Sequence, residues 1–330
     1  MSTQIDTATT VDDTTTTTTT ATTIARLCLH DPTHFHTQYS QILHRLNLVQ
    51  HWKAAAALSP GSNVLELGCG QGDCTVTLAY TVARGELGGR VVAIDPAELN
   101  YGSPYTLGQA QEHISRGPMG KRITWVRQEP LEYLSSSSSP LPGTAASESE
   151  SKKNQPFFDA TVLAHSLWYF ATPSLVEETF RVIKQHPNTS KRLLLAEWAL
   201  EATHKASQPH VLAALTQAAL ECRKPDDRKS LSNIRTVLGP KRLTELALAA
   251  GWQLERESRV PCGELLEDGK WEVAACLSPA FEREVREHVS DEREQAVVFA
   301  LRDACEASLE AVPGGKEGVR AMDVWVASFV

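Results

Sequence analysis

The residues with the most chemical content stand where short apolar runs end. Val64-Leu65-Glu66-Leu67 runs directly into Gly68-Cys69-Gly70-Gln71-Gly72-Asp73. Glycines let a backbone turn sharply and admit a ligand without a Cβ in the way. The N–H groups at the start of a following helix favour a negatively charged ligand group. The spacing excludes two other phosphate-binding devices. A dinucleotide fingerprint needs a small residue where Asp73 stands, and a carboxylate there would crowd and repel a pyrophosphate. A Walker loop needs G-K-[ST], which does not follow. Asp95 closes the next apolar run, Val91-Val92-Ala93-Ile94, about one strand–helix–strand unit later. A carboxylate at that point can accept both hydroxyls of a ribose.

The elements that must position these residues follow from the repeat of apolar runs. Strands are predicted at 64–67, 91–94, 123–126, 160–163 and 193–196, with two more near 252–260 and 322–330. Helices are predicted around 73–83, 105–116, 173–186 and 240–250. Alternation of this kind implies a doubly wound, mostly parallel seven-stranded α/β sheet covered on both faces. In such a sheet ligands sit outside the carboxyl ends of the strands. Gly68–Gly72, Asp95, Gln128–Glu129, His165 and Glu197 each follow one of five successive strands, so they are expected on one rim. Further helical stretches at 38–57, 206–222 and 279–311 read as packing against the sheet or, for the first two, as a cap over the cleft. Residues 1–23, dominated by threonine, are too poor in apolar groups to order themselves and read as a disordered tail. A Ser-, Pro- and Glu-rich stretch at about 135–155 reads as a loop inserted into a single domain spanning 24–330. Its cofactor-binding core lies at about 60–200, and a helical cap with C-terminal elaboration occupies about 200–321.

The E-x-G-x-G-x-G pattern from Glu66 to Gly72, with Asp95 behind it, closely resembles the first motifs of class I S-adenosylmethionine-dependent methyltransferases, which have a Rossmann-like fold. Ala164-His165-Ser166-Leu167-Trp168-Tyr169 and Ala196-Glu197-Trp198 are similar to methyltransferases of fungal secondary metabolism. The resemblance implies S-adenosylmethionine as cofactor. It places Glu66, Gly68, Cys69, Gly70, Gly72, Asp95, Gln128, Glu129 and His165 among the residues that bind it. Glu129 stands where the family holds the adenine amino group, with Gln128 as the alternative one position away. Pro130 departs from the pattern, because the family often uses the next backbone N–H and proline has none.

With a sulfonium supplying the reactivity, the protein mainly has to align a nucleophile. A base is needed where the acceptor starts protonated. His165 is the first candidate, because an imidazole titrates near neutrality; the alternative is a histidine that hydrogen-bonds the cofactor or a turn. Glu197 could bind an amine or act as a second base, or it could be a structural carboxylate. Tyr39, Trp168, Tyr169 and Trp198 are candidate acceptor contacts, although aromatics after a strand also serve as core. His34 and His36 precede the first helix, and His204 and His210 lie in the expected cap, facing solvent or the acceptor. No second His or Cys cluster at metal-ligand spacing accompanies them, so no metal is expected.

Composition narrows the partner. The net charge of −8 and the lack of a basic stripe argue against nucleic acid. Seven widely spaced cysteines without a C-x-x-C pair read as reduced thiols of a cytoplasmic protein. Apolar runs are strand-sized, so no membrane partner is expected, and the first residues lack a secretory or mitochondrial pattern. The expected function is methyl transfer to oxygen or nitrogen of a small molecule. The alternatives are a cofactor-bound cyclase or isomerase on the same fold, and a regulatory binding protein.

Overall fold

The computed structural model describes residues 9–55, 57–83, 88–135, 158–189, 192–224 and 232–330. The chain alternates strand and helix around one seven-stranded sheet. The strands are β1 (Asn63–Leu67), β2 (Arg90–Ile94), β3 (Ile123–Val126), β4 (Ala160–Ala164), β5 (Leu193–Trp198), β6 (Leu254–Val260) and β7 (Val324–Phe329). Their spatial order is β3-β2-β1-β4-β5-β7-β6. Strands β1 to β5 run parallel, and β7 lies antiparallel between β5 and β6. The order reverses between β1 and β4, so the crevice at their carboxyl ends is the topological switch point.

Burial on both faces explains the near-continuous apolar runs of the central strands. Val64, Ala93, Val162 and Leu194 point to one core, and Leu65, Val92, Leu163 and Leu193 to the other. Helices α1 (Thr9–Ala25), α2 (Phe35–Ala54) and α3 (Asp73–Val82) supply the first core. Helices α6 (Pro173–Gln185) and α8 (Pro240–Ala249) fill the second, with Phe180, Leu243 and Trp252 fully or almost fully buried. The remaining sheet helices are α4 (Leu107–Arg116) and the short α5 (Pro130–Ser135). Strand β6 is an edge and reads Leu-Glu-Arg-Glu-Ser-Arg-Val; its charges discourage a further strand from pairing.

Four helices stand beside the sheet: α7 (Gln208–Glu221), α9 (Asp268–Cys276), α10 (Pro279–His288) and α11 (Glu292–Glu310). They share small apolar clusters of their own, around Ala213, Val273, Cys276 and Cys305 and around Leu220, Phe281, Val285 and Val298. The predicted 279–311 segment is thus two helices. Asp291 breaks it by capping α11, accepting from the N–H groups of Arg293 and Glu294.

The amino terminus differs from the expected disordered tail at 1–23. From Thr9 onward it is helix α1, packed against α2 and α3. Ala21, Ile24 and Ala25 at its carboxyl end are completely buried in the first core. Thr22 and Thr23 donate their hydroxyls to the carbonyls of Thr18 and Thr19, four residues earlier. Tertiary burial of one turn and internal satisfaction of hydroxyls together override a weak helix propensity. The expected inserted loop at 135–155 lies outside the described residues, except for Ser135 at the end of α5.

Candidate active site

The glycine turn is held from below by its neighbours. Gly68 and Cys69 donate their N–H groups to the Ile94 carbonyl, at 2.8 and 3.1 Å, and Gly72 donates to the Cys69 carbonyl at 3.0 Å. Gly70 donates to Asp95 Oδ2 at 2.8 Å. Four amides of the turn are therefore committed within the protein. The turn itself thus offers a ligand bare backbone surface, while the N–H groups at the start of the following helix, from Asp73 onward, are not among those committed. Gly68 has φ +77°, and a Cβ there would lie 2.4 Å from the Cβ of Ser166. Gly70 has φ +53°, but a Cβ there would meet nothing within 4 Å. One glycine is needed for packing, and the other keeps a space clear.

Asp95 sits beyond β2 with each oxygen anchored, Oδ2 by Gly70 and Oδ1 by the Ala97 N–H at 2.9 Å. It lines a cavity of about 210 Å³ together with Ala93, Leu99, Leu107, Trp125, Val126 and others at the carboxyl ends of β2 and β3. A mainly apolar slot that carries Asp95, with Gln111 and Arg127 also lining it, suits a nucleoside. Gln128 is half-buried and Glu129 exposed in the turn after β3. Partial burial, with Glu132 and Asp95 nearby, raises the Glu129 pKa. Pro130 opens α5, where its missing N–H carries no cost.

Glu66 and Cys69 turn inward. The Glu66 carboxylate is 1% exposed and accepts from Thr75 Oγ1 at 2.5 Å, so burial pushes its pKa up to about 7 against the hydrogen bond's opposing effect. Cys69 is buried in the first core.

The second half of the site is built where β4 and β5 end. His165 takes the left-handed φ of +53°, rare for a residue with a Cβ and costing about 1–3 kcal/mol. Its Nε2 lies 2.9 Å from Nε2 of His44, and its Nδ1 lies 3.5 Å from Oε1 of Glu197. Glu197 is 1% exposed and accepts from the Leu167 N–H at Oε2 and from the Trp198 N–H at Oε1, each at 3.0 Å. Burial nonetheless pushes its pKa up to about 7. Both imidazoles are held well below their ordinary pKa, chiefly by burial and further by Arg45.

Helix α2 forms the roof and connects the parts. Thr37 donates to Glu267, Gln38 to Asp73 at the start of α3, and Gln41 to Asp268 at the start of α9, at 3.0, 2.7 and 2.7 Å. His44 and Arg45 continue this side of the helix. Arg45 Nη1 is buried with no hydrogen-bond partner among the described residues. Its charge favours the ionised forms of Glu66, Glu197 and Asp268 around it. None of these α2 contacts was expected from the sequence, because the partners are up to 230 residues away.

The aromatic candidates separate. Trp168 is 3% exposed and donates its indole N–H to the Leu238 carbonyl at 3.1 Å, which makes it core. Trp198 packs against His165 at 4.4 Å and His210 at 5.0 Å between ring centroids. Tyr169 is 46% exposed and so is not core. Tyr39 is half-buried against the first core. His34 and His36 are exposed, the latter 3.9 Å from Glu267. His204 caps a short turn by accepting from the Ala206 N–H. His210 faces neither solvent nor an open cleft: it is 1% exposed and accepts from the Met322 N–H at 3.0 Å. Among the described residues no group of three metal-ligating side chains converges.

A glycine turn, an anchored carboxylate and a chain of buried imidazoles at one switch-point crevice have the form of an α/β enzyme with a nucleoside cofactor. No protein-family model matches the chain. The methyltransferases phomM and phomM′ of Diaporthe leptostromiformis are each 32% identical over 293 residues, covering 81% of this chain and 73% of the relative. The structure of a cyclopropane-fatty-acyl-phospholipid synthase-like protein from Lactobacillus casei ATCC 334 is 26% identical, with a TM-score of 0.73 over 94% of this chain and 99% of that one. The chain belongs to the family of the phomM methyltransferases and is an S-adenosylmethionine-dependent methyltransferase.

The site fits that cofactor in its donor set: open space above Gly70, a doubly anchored Asp95 at the slot beyond β2 and β3, and an unpartnered buried Nη1 of Arg45, whose charge also acts on Glu66.

Proposed function

We propose that the enzyme methylates an oxygen or nitrogen of a small molecule of secondary metabolism. The observation that carries this reading is the buried Glu197–His165–His44 chain at the carboxyl ends of β4 and β5, beneath helix α2. When bound, the cofactor supplies a methyl group on a sulfonium. Asp95 would hold the ribose hydroxyls, the slot beyond β2 and β3 the adenine, and Arg45 the carboxylate of the amino-acid end. Gln128 and Glu129 would meet the rim of the adenine. Tyr169 and Trp198 would wall the acceptor, and the buried imidazoles would take its proton. Kinship with fungal methyltransferases supports a secondary metabolite. A net charge of −8 favours a small acceptor over nucleic acid. Seven free cysteines support a cytoplasmic setting, and no described helix is long and apolar enough to cross a membrane.

The test is to incubate the full chain with methyl-labelled S-adenosylmethionine and small-molecule extracts of a fungal host. Label entering one extractable compound, with S-adenosylhomocysteine formed in equal amount, is the expected result. Conversion of a compound without S-adenosylhomocysteine would refute methyl transfer, and label in protein or RNA would refute the small acceptor.

A further inference from the structure

We propose that the group taking a proton from the acceptor is His44, and that His165 and Glu197 are positioning residues behind it. The inference rests on the methyl-transfer reading above and reassigns the base within it. Both ring nitrogens of His165 face protein. Nε2 meets His44 at 2.9 Å, while Nδ1 is sealed from solvent and points towards Glu197 Oε1 at 3.5 Å. With Nε2 turned to His44 and Nδ1 sealed, His165 has no nitrogen open to an acceptor. His44 does: its Nε2 meets His165, and its Nδ1 has no hydrogen-bond partner among the described residues and is not among the sealed atoms.

The facing Nε2 atoms hold one proton between them. Two protons would repel, and none would set two lone pairs against each other. Two arrangements remain, and Glu197 chooses between them. Both of its oxygens accept backbone N–H groups, so it faces Nδ1 of His165 as an acceptor. At 3.5 Å the contact is too long for a full hydrogen bond, yet the charge favours a proton on His165 Nδ1. His165 Nε2 is then the lone pair, His44 Nε2 the donor, and His44 Nδ1 a free lone pair. Trp198 lies against both imidazoles and limits their rotation. In the reaction the acceptor X–H gives its proton to His44 Nδ1 and its lone pair to the new X–C bond. The electrons of the broken C–S bond stay on sulfur. His44 Nε2–H can pass its proton to His165 Nε2, and His165 Nδ1–H to Glu197, leaving each imidazole neutral.

The experiment is a long-range ¹H–¹⁵N spectrum of the histidines in the labelled full chain at pH 8, with signals assigned through His44→Gln and His165→Asn. His44 is expected as the Nε2–H tautomer and His165 as the Nδ1–H tautomer. In Glu197→Gln the new amide can donate to His165 Nδ1, which should move the His44 proton from Nε2 to Nδ1. A wild-type His44 protonated on Nδ1 overturns the proposal. Should Glu197→Gln fail to fold, the wild-type spectrum decides alone. Added S-adenosylhomocysteine reports separately on the cofactor site through the Gly70 and Ala97 amides, so failure of that reading is seen independently of the tautomers.

Discussion

Gly70→Ala separates what the glycine turn does for folding from what it does for the cofactor. The left-handed φ of +53° would burden alanine with about 1–2 kcal/mol. No protein atom lies within 4 Å of the new methyl group, so packing adds nothing. The melting temperature should therefore fall by no more than roughly 8 °C. The cofactor, by contrast, needs the space the methyl would occupy. Overpacking of that kind costs about 1–3 kcal/mol, which is about 5- to 150-fold in affinity. Gly68→Ala is the internal control. Its Cβ would lie 2.4 Å from the Cβ of Ser166, so it should lose more stability than Gly70→Ala. Thermal unfolding and calorimetric titration with S-adenosylhomocysteine measure both quantities. A Gly70→Ala protein that binds with wild-type affinity would refute the assignment of that space to the cofactor.

Three more outcomes follow from the same geometry. Asp95→Asn sets an amide where two backbone donors already point and leaves fewer acceptors for the ribose; losing one or two charged hydrogen bonds at about 1.5–3 kcal/mol each should weaken S-adenosylhomocysteine binding at least about tenfold by calorimetry. Glu66→Gln should be well tolerated near pH 6, where the native carboxyl is protonated below its raised value of about 7, whereas Thr75→Val removes one of its two side-chain partners, leaving Cys74, and should cost about 0.5–1.5 kcal/mol in denaturant titration. His210, pushed down to about 3 by burial, refuses a proton that the unfolded chain accepts below 6.5. The unfolded state then binds more protons, so this residue's contribution to stability is lost as pH falls from 6.5 towards 3; His210→Gln should flatten the pH dependence of the denaturation midpoint in that range, and an unaltered slope would count against a buried neutral imidazole.

Much of the sheet was legible because its signals are local. Apolar runs, the glycine spacing and Asp95 lie within single strand–turn–helix units, and the predicted strands at 64–67, 91–94 and 123–126 match β1 to β3 closely. The rim residues after β4 and β5 were legible by position, since any residue ending a parallel strand faces the crevice. Their roles were not. His165 reads as a base from its position alone, and nothing in the sequence of α2 marks His44 as its neighbour, 121 positions away. Helix α9, whose first residue Asp268 meets Gln41, was not read at all, because its apolar spacing is weak. The threonine segment failed as a prediction for a related reason. Composition described Thr18 and Thr19, which are exposed, and missed Ala21, which tertiary packing buries.

The reach of α2 also sets an order of assembly. Its side chains dock on Asp73, His165, Asp268 and, through the Trp52 indole, on the Ala327 carbonyl of the last strand, 275 residues away. During synthesis this helix emerges among the first elements, yet its final contacts do not exist until the last strand has left the ribosome. The amphipathic roof must wait, and loop closure over such separations is slow. Shortening the chain before β7 should therefore loosen the α2 contacts to His165 and Asp268, even though every residue of the glycine turn would remain.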